Sequence, residues 1–545
     1  VGTRFLGKIG VEQINDHYDI KFIEVLGHKN DVNAELEAIN YNNGFKVRYS
    51  KEENDQAYGL PTEVTLEDKK DRVDLTDENT VTIDRARTKD MDDAVGLTKK
   101  TNGNYLLKVS ISHVSHYIKY NSPLFMRACH NTTSVYLIDS VNHMLHPQVS
   151  NGICSLNPNE ERLTKTYQIE INPKGEIVDF SFFDSVIKSK KKMTYEDCNE
   201  LFENNVVLQG YEPFVNDLLL MQELAQIIEN RRKENGALDF GNNEIEFILD
   251  DEGNIVDITK RYQGPAEKLI ENFMVITNEA LAEYMYNLGL EFVYRNHEIP
   301  FDNKVKETVK LIKTMGYHVD ALENSDDPHV LQTIINSLSS KEEFFILASL
   351  LLKTMQKAYF STENKGHYGL ALNAYSQTTS PIRRLMDLII EYLLDNIDKI
   401  YGGTIDMDEL KISLNSLCER ASMMERCADK AEYEANKLYM IDYVLKRQDM
   451  EFVGYIQEIT PRYMVVKTKE LIEGIVYFDD ILDGNYVYNP DCKWLENLST
   501  RHRLIIGSKL KLHFKEANRE YRILKFNAEV NTLDKEMTLT RSKKD

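Results

Sequence analysis

The sequence predicts an α+β protein of several domains: a mixed body of sheet and helices, followed by a small antiparallel β-barrel. Three observations carry this. A chain of 545 residues is too long for one hydrophobic core, so roughly two to four domains are expected. Its middle alternates strand-like runs, joined by turn sequences, with helical runs that carry start and stop signals. Its last hundred residues return to short alternating segments punctuated by Gly454, Gly474 and Gly484. That is the pattern of a small closed barrel, and the OB fold is the common one that binds nucleic acid.

In order along the chain, residues 1–28 alternate apolar and polar (Tyr18, Ile20, Phe22, Glu24, Leu26) and read as strands too few to close a barrel, the end of a larger unit. A polar, acidic connector follows over 29–80, with no dependable helical period. The main domain is expected over 81–446. VTIDR and YLLKVSISHV alternate as strands, and TYQIEI and EIVDFSFF flank the turn Asn172-Pro173-Lys174-Gly175 as a hairpin. EIEFIL and NIVDIT flank Asp250-Asp251-Glu252-Gly253 in the same way. Helices are expected over 212–235, stopped by Gly236, and over 265–288, opened by Pro265 and stopped by Gly289. Another is expected over 340–359, with Ser340 and Glu343 as a capping box. Two more run from Ser380-Pro381 to about Ile397 and over 408–447. The barrel is expected over 447–530 and a tail over 531–545.

The composition, 42% hydrophobic and 28% charged, is that of a globular protein. No stretch approaches the roughly 20 apolar residues of a membrane helix, and the opening VGTRFLGKIG has no signal-peptide core. The absence of an initiator Met leads us to expect a true N-terminus upstream. Six sparse cysteines without a CxxC pair argue for reduced thiols in a cytoplasmic protein and against a disulfide scaffold or zinc ribbon. The net charge of −22 runs against a polyanion binder, yet from 451 onward 16 basic residues face 15 acidic ones. The acidic excess lies upstream, where a metal site needs clustered carboxylates.

The densest carboxylate cluster is TIDRARTKDMDDA, with Asp84, Asp90, Asp92 and Asp93. Magnesium takes hard oxygen ligands, and a two-metal phosphodiester site needs several carboxylates in a small volume. On composition alone a solvated acidic loop is the simpler reading. The neighbouring apolar strands oppose it, because a solvated loop gives no reason for aspartates at a strand mouth.

This segment resembles the signature of the ribonuclease II/R (RNB) family. Three further segments follow in the family's order: SVYLIDSVNHMLHPQVSNGICSLNPNEERL, AEKLIENFMVITNEALA at 266–282 and GHYGLALNAYSQTTSPIRRLMDL at 366–388. The resemblance extends to a C-terminal OB-fold domain from Phe452 and to the end of a second cold-shock domain in residues 1–28. It implies an RNB catalytic domain and a processive 3′-to-5′ exoribonuclease, monomeric, acting on single-stranded RNA and without a membrane partner. Four aspartates would hold Mg²⁺, with Asp92 also catalytic. The phosphate-binding arginine falls on Arg383. Sequence signals agree, since Ser380 and Pro381 read as N-cap and N1 and put Arg383 in a first helical turn, where free N–H groups attract phosphate. Asp387 is placed to orient Arg383 or Arg384. Glu271 and Glu425 match glutamates of the catalytic cavity, which the sequence alone leaves as solvated helix faces. Tyr136 and Phe240 match an aromatic clamp on the 3′ bases, where the sequence alone favours core. Arg384 and His367 match RNA-binding positions.

The chain departs from the family at Ser110, His113 and Asn131, and carries His143-Met144-Leu145-His146 in place of a PMLP-like segment. These changes create two HxxH pairs, His113/His116 and His143/His146. Zinc could use four imidazoles, but HxxH on a strand or loop does not converge as on a helix, and unrelated surface histidines are the default. Two rival readings remain: an RNB-fold RNA-binding protein with weakened catalysis, and a DNA exonuclease with a similar carboxylate cluster.

Overall fold

The protein is described from a computed structural model covering residues 2–14, 17–241, 244–490 and 493–530. The expected tail, 531–545, lies outside the described residues.

The body is built on a five-stranded sheet in the order Val73–Leu75, Ile177–Lys188, Glu161–Ile171, Tyr105–Ser112, Asp93–Lys99. All pairings are antiparallel except that of the edge strand Val73–Leu75. Alternate residues Tyr105, Leu107, Val109 and Ile111 are buried, and the helices Val215–Glu234, Pro265–Leu288 and Leu385–Asp395 supply the facing apolar side chains. The hairpin at Asn172–Gly175 forms as expected, with Asn172 accepting the Gly175 N–H at 2.9 Å. A short parallel pair, Thr82–Asp84 with Lys192–Thr194, stands beside this sheet.

The helix Pro265–Leu288 has the expected bounds and ends on Gly289 at φ 66°, a left-handed residue that glycine adopts without strain. The helix Met407–Leu445 is 39 residues long and threads two cores. Leu414, Cys418 and Ala421 join the core of the main sheet. Met424, Ala431, Ala435 and Leu438 join a second core, made with the barrel and the helices Asp302–Thr314, Pro328–Leu338 and Phe344–Leu352.

The C-terminal barrel closes in the order Glu451–Ile459, Tyr463–Thr468, Glu473–Tyr477, Ile523–Val530, Lys509–Asn518, consistent with an OB-like fold. Gly454 and Gly474 lie inside strands rather than between them. A Cβ at either would collide with Leu512 or Phe526, so these glycines permit close packing and do not mark turns.

Three local expectations fail, each for a tertiary reason. The connector contains two helices, Val32–Asn42 and Lys51–Gly59. The second opens on a capping box in which Ser50 Oγ accepts the Glu53 N–H at 3.2 Å and Glu53 Oε2 accepts that of Ser50 at 2.9 Å. Its buried face includes Glu53, which lies near the fully buried Arg127, so hydrophobic period was the wrong signal. The expected helix 340–359 is shorter, Phe344–Leu352, and Ser340 does not cap it. Tyr359–Ser361 instead pairs as a strand with Tyr294–Asn296. Ser380–Arg384 is a turn, and the helix begins at Leu385. Arg384 is extended and bridges to Thr133, which overrides the local preference of Ser-Pro for a helix start.

Candidate active site

Asp84 ends the strand Thr82–Asp84, and the chain returns through Asp90 and Asp92 into the strand that begins at Asp93. The loop between is not solvated backbone. Ser155 Oγ donates to the Lys89 carbonyl at 2.7 Å and accepts the Met91 N–H at 3.2 Å. Lys192 Nζ donates to the Ala86 carbonyl at 3.1 Å, and the Asp92 carbonyl accepts the Ser112 N–H at 2.9 Å. Asp92 is 4% exposed.

The turn Ser380–Arg384 meets this loop from nearly 300 residues away in sequence. The Ile382 N–H donates to Asp92 Oδ1 at 2.8 Å, and Arg383 Nε lies 3.4 Å from Asp92 Oδ2. The turn is pinned on its other side, where the Arg383 carbonyl accepts the Ser134 N–H at 2.9 Å and the Thr132 carbonyl that of Leu385 at 2.8 Å. Asp387 accepts from Ser380 N at 2.8 Å, from Arg384 Nη2 at 2.6 Å and from Arg384 Nε at 2.9 Å. It therefore orients Arg384, not Arg383. Arg383 is not in a helical turn but sits at the apex of this braced loop.

Burial first, then the neighbouring charge of Asp92, pushes Asp84 up to about 7. Burial and Asp84 do the same to Asp93, also to about 7. Burial raises Asp92 well above the carboxylate range, against the pull of Arg383 and the Ile382 N–H. Such a set is short of positive charge, and its donors are all hard oxygens, the chemistry that suits magnesium. The carboxylates are spread out: among the described residues, the group whose ligand atoms lie within 4.8 Å of one another is His113, Asp184 and Asp395, not the quartet. A wider cage still suits magnesium, which keeps several of its waters.

Tyr136 faces the same cluster. In the strand Val135–Leu137 its two neighbours are buried and it points outward, 40% exposed, with its hydroxyl donating to Asp90 Oδ2 at 2.7 Å. It is not a core residue. Three of the remaining candidates are linked through two arginines. Glu271 accepts from Arg232 at 3.2 and 3.3 Å. Glu425 binds Arg295 through both oxygens at 2.8 and 2.7 Å. His367 lies near both arginines, with its ring 5.0 Å from His297 and 5.2 Å from Tyr375. Burial, with His297 and Arg295, pushes His367 down to about 3, so the ring is neutral. Phe240 is half-buried against the second core.

The histidines are not the surface residues expected. His113 is 3% and His146 7% exposed. Arg72 donates to Nδ1 of His113 at 3.0 Å and of His116 at 3.3 Å, while their Nε2 atoms face Asp395 at 3.0 Å and Asp68 at 2.8 Å. Both rings are thus fixed as Nε2–H tautomers with the Nδ1 lone pair occupied. They converge on a guanidinium, not on a metal. Beside them Lys165 sits 2.5 Å from Asp184 and 3.0 Å from Asp395, an internal cation in the place a metal ion would take. His143 Nδ1 lies 4.0 Å from Asp90, and His146 accepts the Gln148 N–H at 3.0 Å.

Two contributors escaped the sequence reading. Burial first, and then the charges of Asp84 and Asp93, raises the Tyr195 hydroxyl above its usual range, which puts it beside the cluster. Its signal was present: Thr194 caps the helix Tyr195–Asn204 by accepting the Asp197 N–H at 3.1 Å. Lys192, which also pulls on Asp84, gave no signal beyond its place in a basic run.

The RNB domain matches residues 72–399, a span that contains the aspartate loop and the arginine turn. The chain is 34% identical to ribonuclease R 1 of Lactococcus lactis over 91% of its own length and 61% of that protein. It is 36% identical to ribonuclease R of Thermotoga maritima over 86% of its length and 67% of that protein. Among solved structures it is similar to Mycoplasma genitalium RNase R in complex with ribose-methylated single-stranded RNA. That match has a TM-score of 0.89 at 26% identity and covers 97% of this chain and 83% of that one. The fold is shared as well with yeast Ssd1, a pseudonuclease, at a TM-score of 0.71 and 20% identity. The RNB match spans most of the chain, the relatives agree with it, and the braced arginine turn meets the buried aspartates inside it: the protein belongs to the RNB-domain family.

Proposed function

We propose that the chain is a 3′-to-5′ exoribonuclease that processively hydrolyses single-stranded RNA to 5′-mononucleotides, acting as a cytoplasmic monomer. The observation that carries this reading is the contact of Ile382 and Arg383 with the buried Asp92, which joins two distant segments around one small acidic volume. Asp84, Asp90, Asp92 and Asp93 would hold Mg²⁺, which when bound supplies a water of lowered pKa and charge neutralisation at the phosphate. The chain's own part is positioning. Arg383 presents a planar fork of donors to a phosphate oxygen and to the charge that grows there in the transition state. The Ser380–Arg384 turn, braced by Asp387 and by residues 132–134, holds that fork without reorganisation. Tyr136 offers an exposed ring beside Asp90 on which a terminal base stacks.

The reading of a catalytically weakened RNA-binding protein rested on Ser110, His113 and Asn131. All three are satisfied in structural roles. Ser110 Oγ pairs with Thr166 Oγ1 at 2.7 Å, and Asn131 exchanges bonds with the Lys46 backbone at 2.9 and 3.0 Å. His113 belongs to the Arg72 cluster. Among the described residues none of their side chains bonds to Asp84, Asp90, Asp92 or Asp93, so none gives a reason for lost activity. The test is incubation with 5′-labelled RNA and matching DNA, in Mg²⁺ or EDTA, with products resolved on a gel. We expect RNA shortened from its 3′ end with release of mononucleotides, DNA left intact, and no reaction in EDTA until Mg²⁺ is restored. RNA that is bound but not cut overturns the enzymatic reading, and equal cutting of DNA overturns the substrate.

A further inference from the structure

The loop that carries the aspartates also carries cations. Arg85 directly follows Asp84, Lys89 directly precedes Asp90, and Arg87 lies between them. All three are exposed, and among the described residues none forms an ion pair or a side-chain hydrogen bond. Arg85 looks across toward Glu432 of the long helix without bonding to it. In a chain with 88 acidic and 66 basic residues, unmatched cations need a reason. Cations of the hairpin into which this loop leads are matched: Lys99 with Glu223 at 2.9 Å, Lys100 with Glu170 at 2.6 Å and Lys108 with Glu78 at 2.5 Å.

The backbone beneath them is held firmly. Lys192 and Ser155 tie the carbonyls of Ala86 and Lys89, and the Arg85 carbonyl accepts the Thr88 N–H at 3.0 Å. The loop is therefore an ordered platform whose charged ends have no bonded partner among the described residues. Charge left unpaired on a fixed platform, next to a phosphodiester site, suits a polyanion.

We propose that Arg85, Arg87 and Lys89 form a rim that grips the phosphate backbone of single-stranded RNA beside the aspartate cluster. This rests on the function proposed above and adds binding residues to it. Three side chains spread over five residues match several phosphates of a strand better than the one phosphate of a released mononucleotide. The rim also gives this acidic protein a local positive surface at the place where RNA must approach carboxylates.

The test compares the parent with Arg85→Gln/Arg87→Gln/Lys89→Gln, both shown to melt alike. Binding of a labelled oligoadenylate is measured in EDTA, which stops hydrolysis, as a function of KCl. Inhibition of Mg²⁺-activated hydrolysis by adenosine 5′-monophosphate is measured alongside. Each phosphate contact to a single strand contributes about 0.7 to the slope of log affinity against log salt, so losing three should flatten it by about 2. The two proteins should then bind alike at high salt and be inhibited alike by the nucleotide. An unchanged slope overturns the proposal, and so does an unchanged slope with weakened nucleotide inhibition, which would make the rim a product site. A parent that neither binds nor cuts RNA overturns the functional reading itself. A parent that does both, with an unaltered slope in the variant, overturns the rim alone.

Discussion

Asp92 joins the two halves of the site, and its two oxygens have separable duties. Oδ1 accepts the Ile382 N–H at 2.8 Å and Oδ2 faces Arg383 at 3.4 Å. Asp92→Asn keeps the acceptor and removes the charge, so we expect an intact fold, retained RNA binding and hydrolysis at background; near-normal turnover would remove Asp92 from the metal cage. Arg383→Lys keeps the charge and loses the fork. If the fork stabilises the transition state, the rate should fall about 10²- to 10³-fold, whereas a nearly full rate would reduce Arg383 to a diffuse charge. For Tyr136, stacking is worth roughly 1–3 kcal/mol per base, or about 5- to 150-fold in residence time. Tyr136→Ala should therefore leave a longer limit product while slowing long RNA little. Tyr136→Phe should match the parent in product length, because the hydroxyl bond to Asp90 is not the grip. That the aspartate loop and Arg383 belong together was legible only because both stand in segments that resemble one family's motifs. The bracing of Arg383 by Ser134 and Thr132 was not, since neither residue carries any mark of it.

At the scale of one element, the helix Leu385–Asp395 carries Asp387, Glu391 and Asp395 four residues apart, on one face. Asp387 is held by Arg384 and Asp395 by His113 and Lys165. Glu391 has less: one oxygen accepts the Ser115 N–H at 2.9 Å and the other has no partner among the described residues. Burial pushes its carboxyl well above the usual 4.5, so the folded state holds this proton more tightly than the unfolded state does. Stability from this group is then present below about pH 4.5 and is lost as pH rises toward the folded pKa. Glu391→Gln removes that dependence, and its melting temperature should gain on the parent's as pH is raised from acid to neutral. Parallel curves would mean that Glu391 is ionised in the fold. The element scale also shows why the sequence was partly readable. Helices closed by Pro and Gly, such as Pro265–Leu288, are set locally. Those whose buried faces carry Glu35 or Glu53 are set by distant partners, and period alone passes over them.

For the whole molecule, the charge of −22 sums over every surface and so says nothing about the one loop on which Arg85, Arg87 and Lys89 stand. The long helix was legible, expected over 408–447 and found at Met407–Leu445, but not that it passes from the core of the main sheet into the one shared with the barrel. In the helix Met407–Leu445, Ala421 belongs to one core and Met424, three residues later, to the other. At 1.5 Å per residue the rod is about 58 Å long. We expect thermal unfolding in one transition, since neither core is complete without it; two well-separated calorimetric peaks would contradict this. The rod ends at Leu445, and in the short turn that leads to the barrel Lys446 and Arg447 donate to the Ile255 and Val256 carbonyls at 3.2 and 2.6 Å, which ties that step to the body. If RNA binds as proposed, loops and side chains accommodate it, and the radius of gyration in X-ray scattering should be the same with and without a bound oligoadenylate.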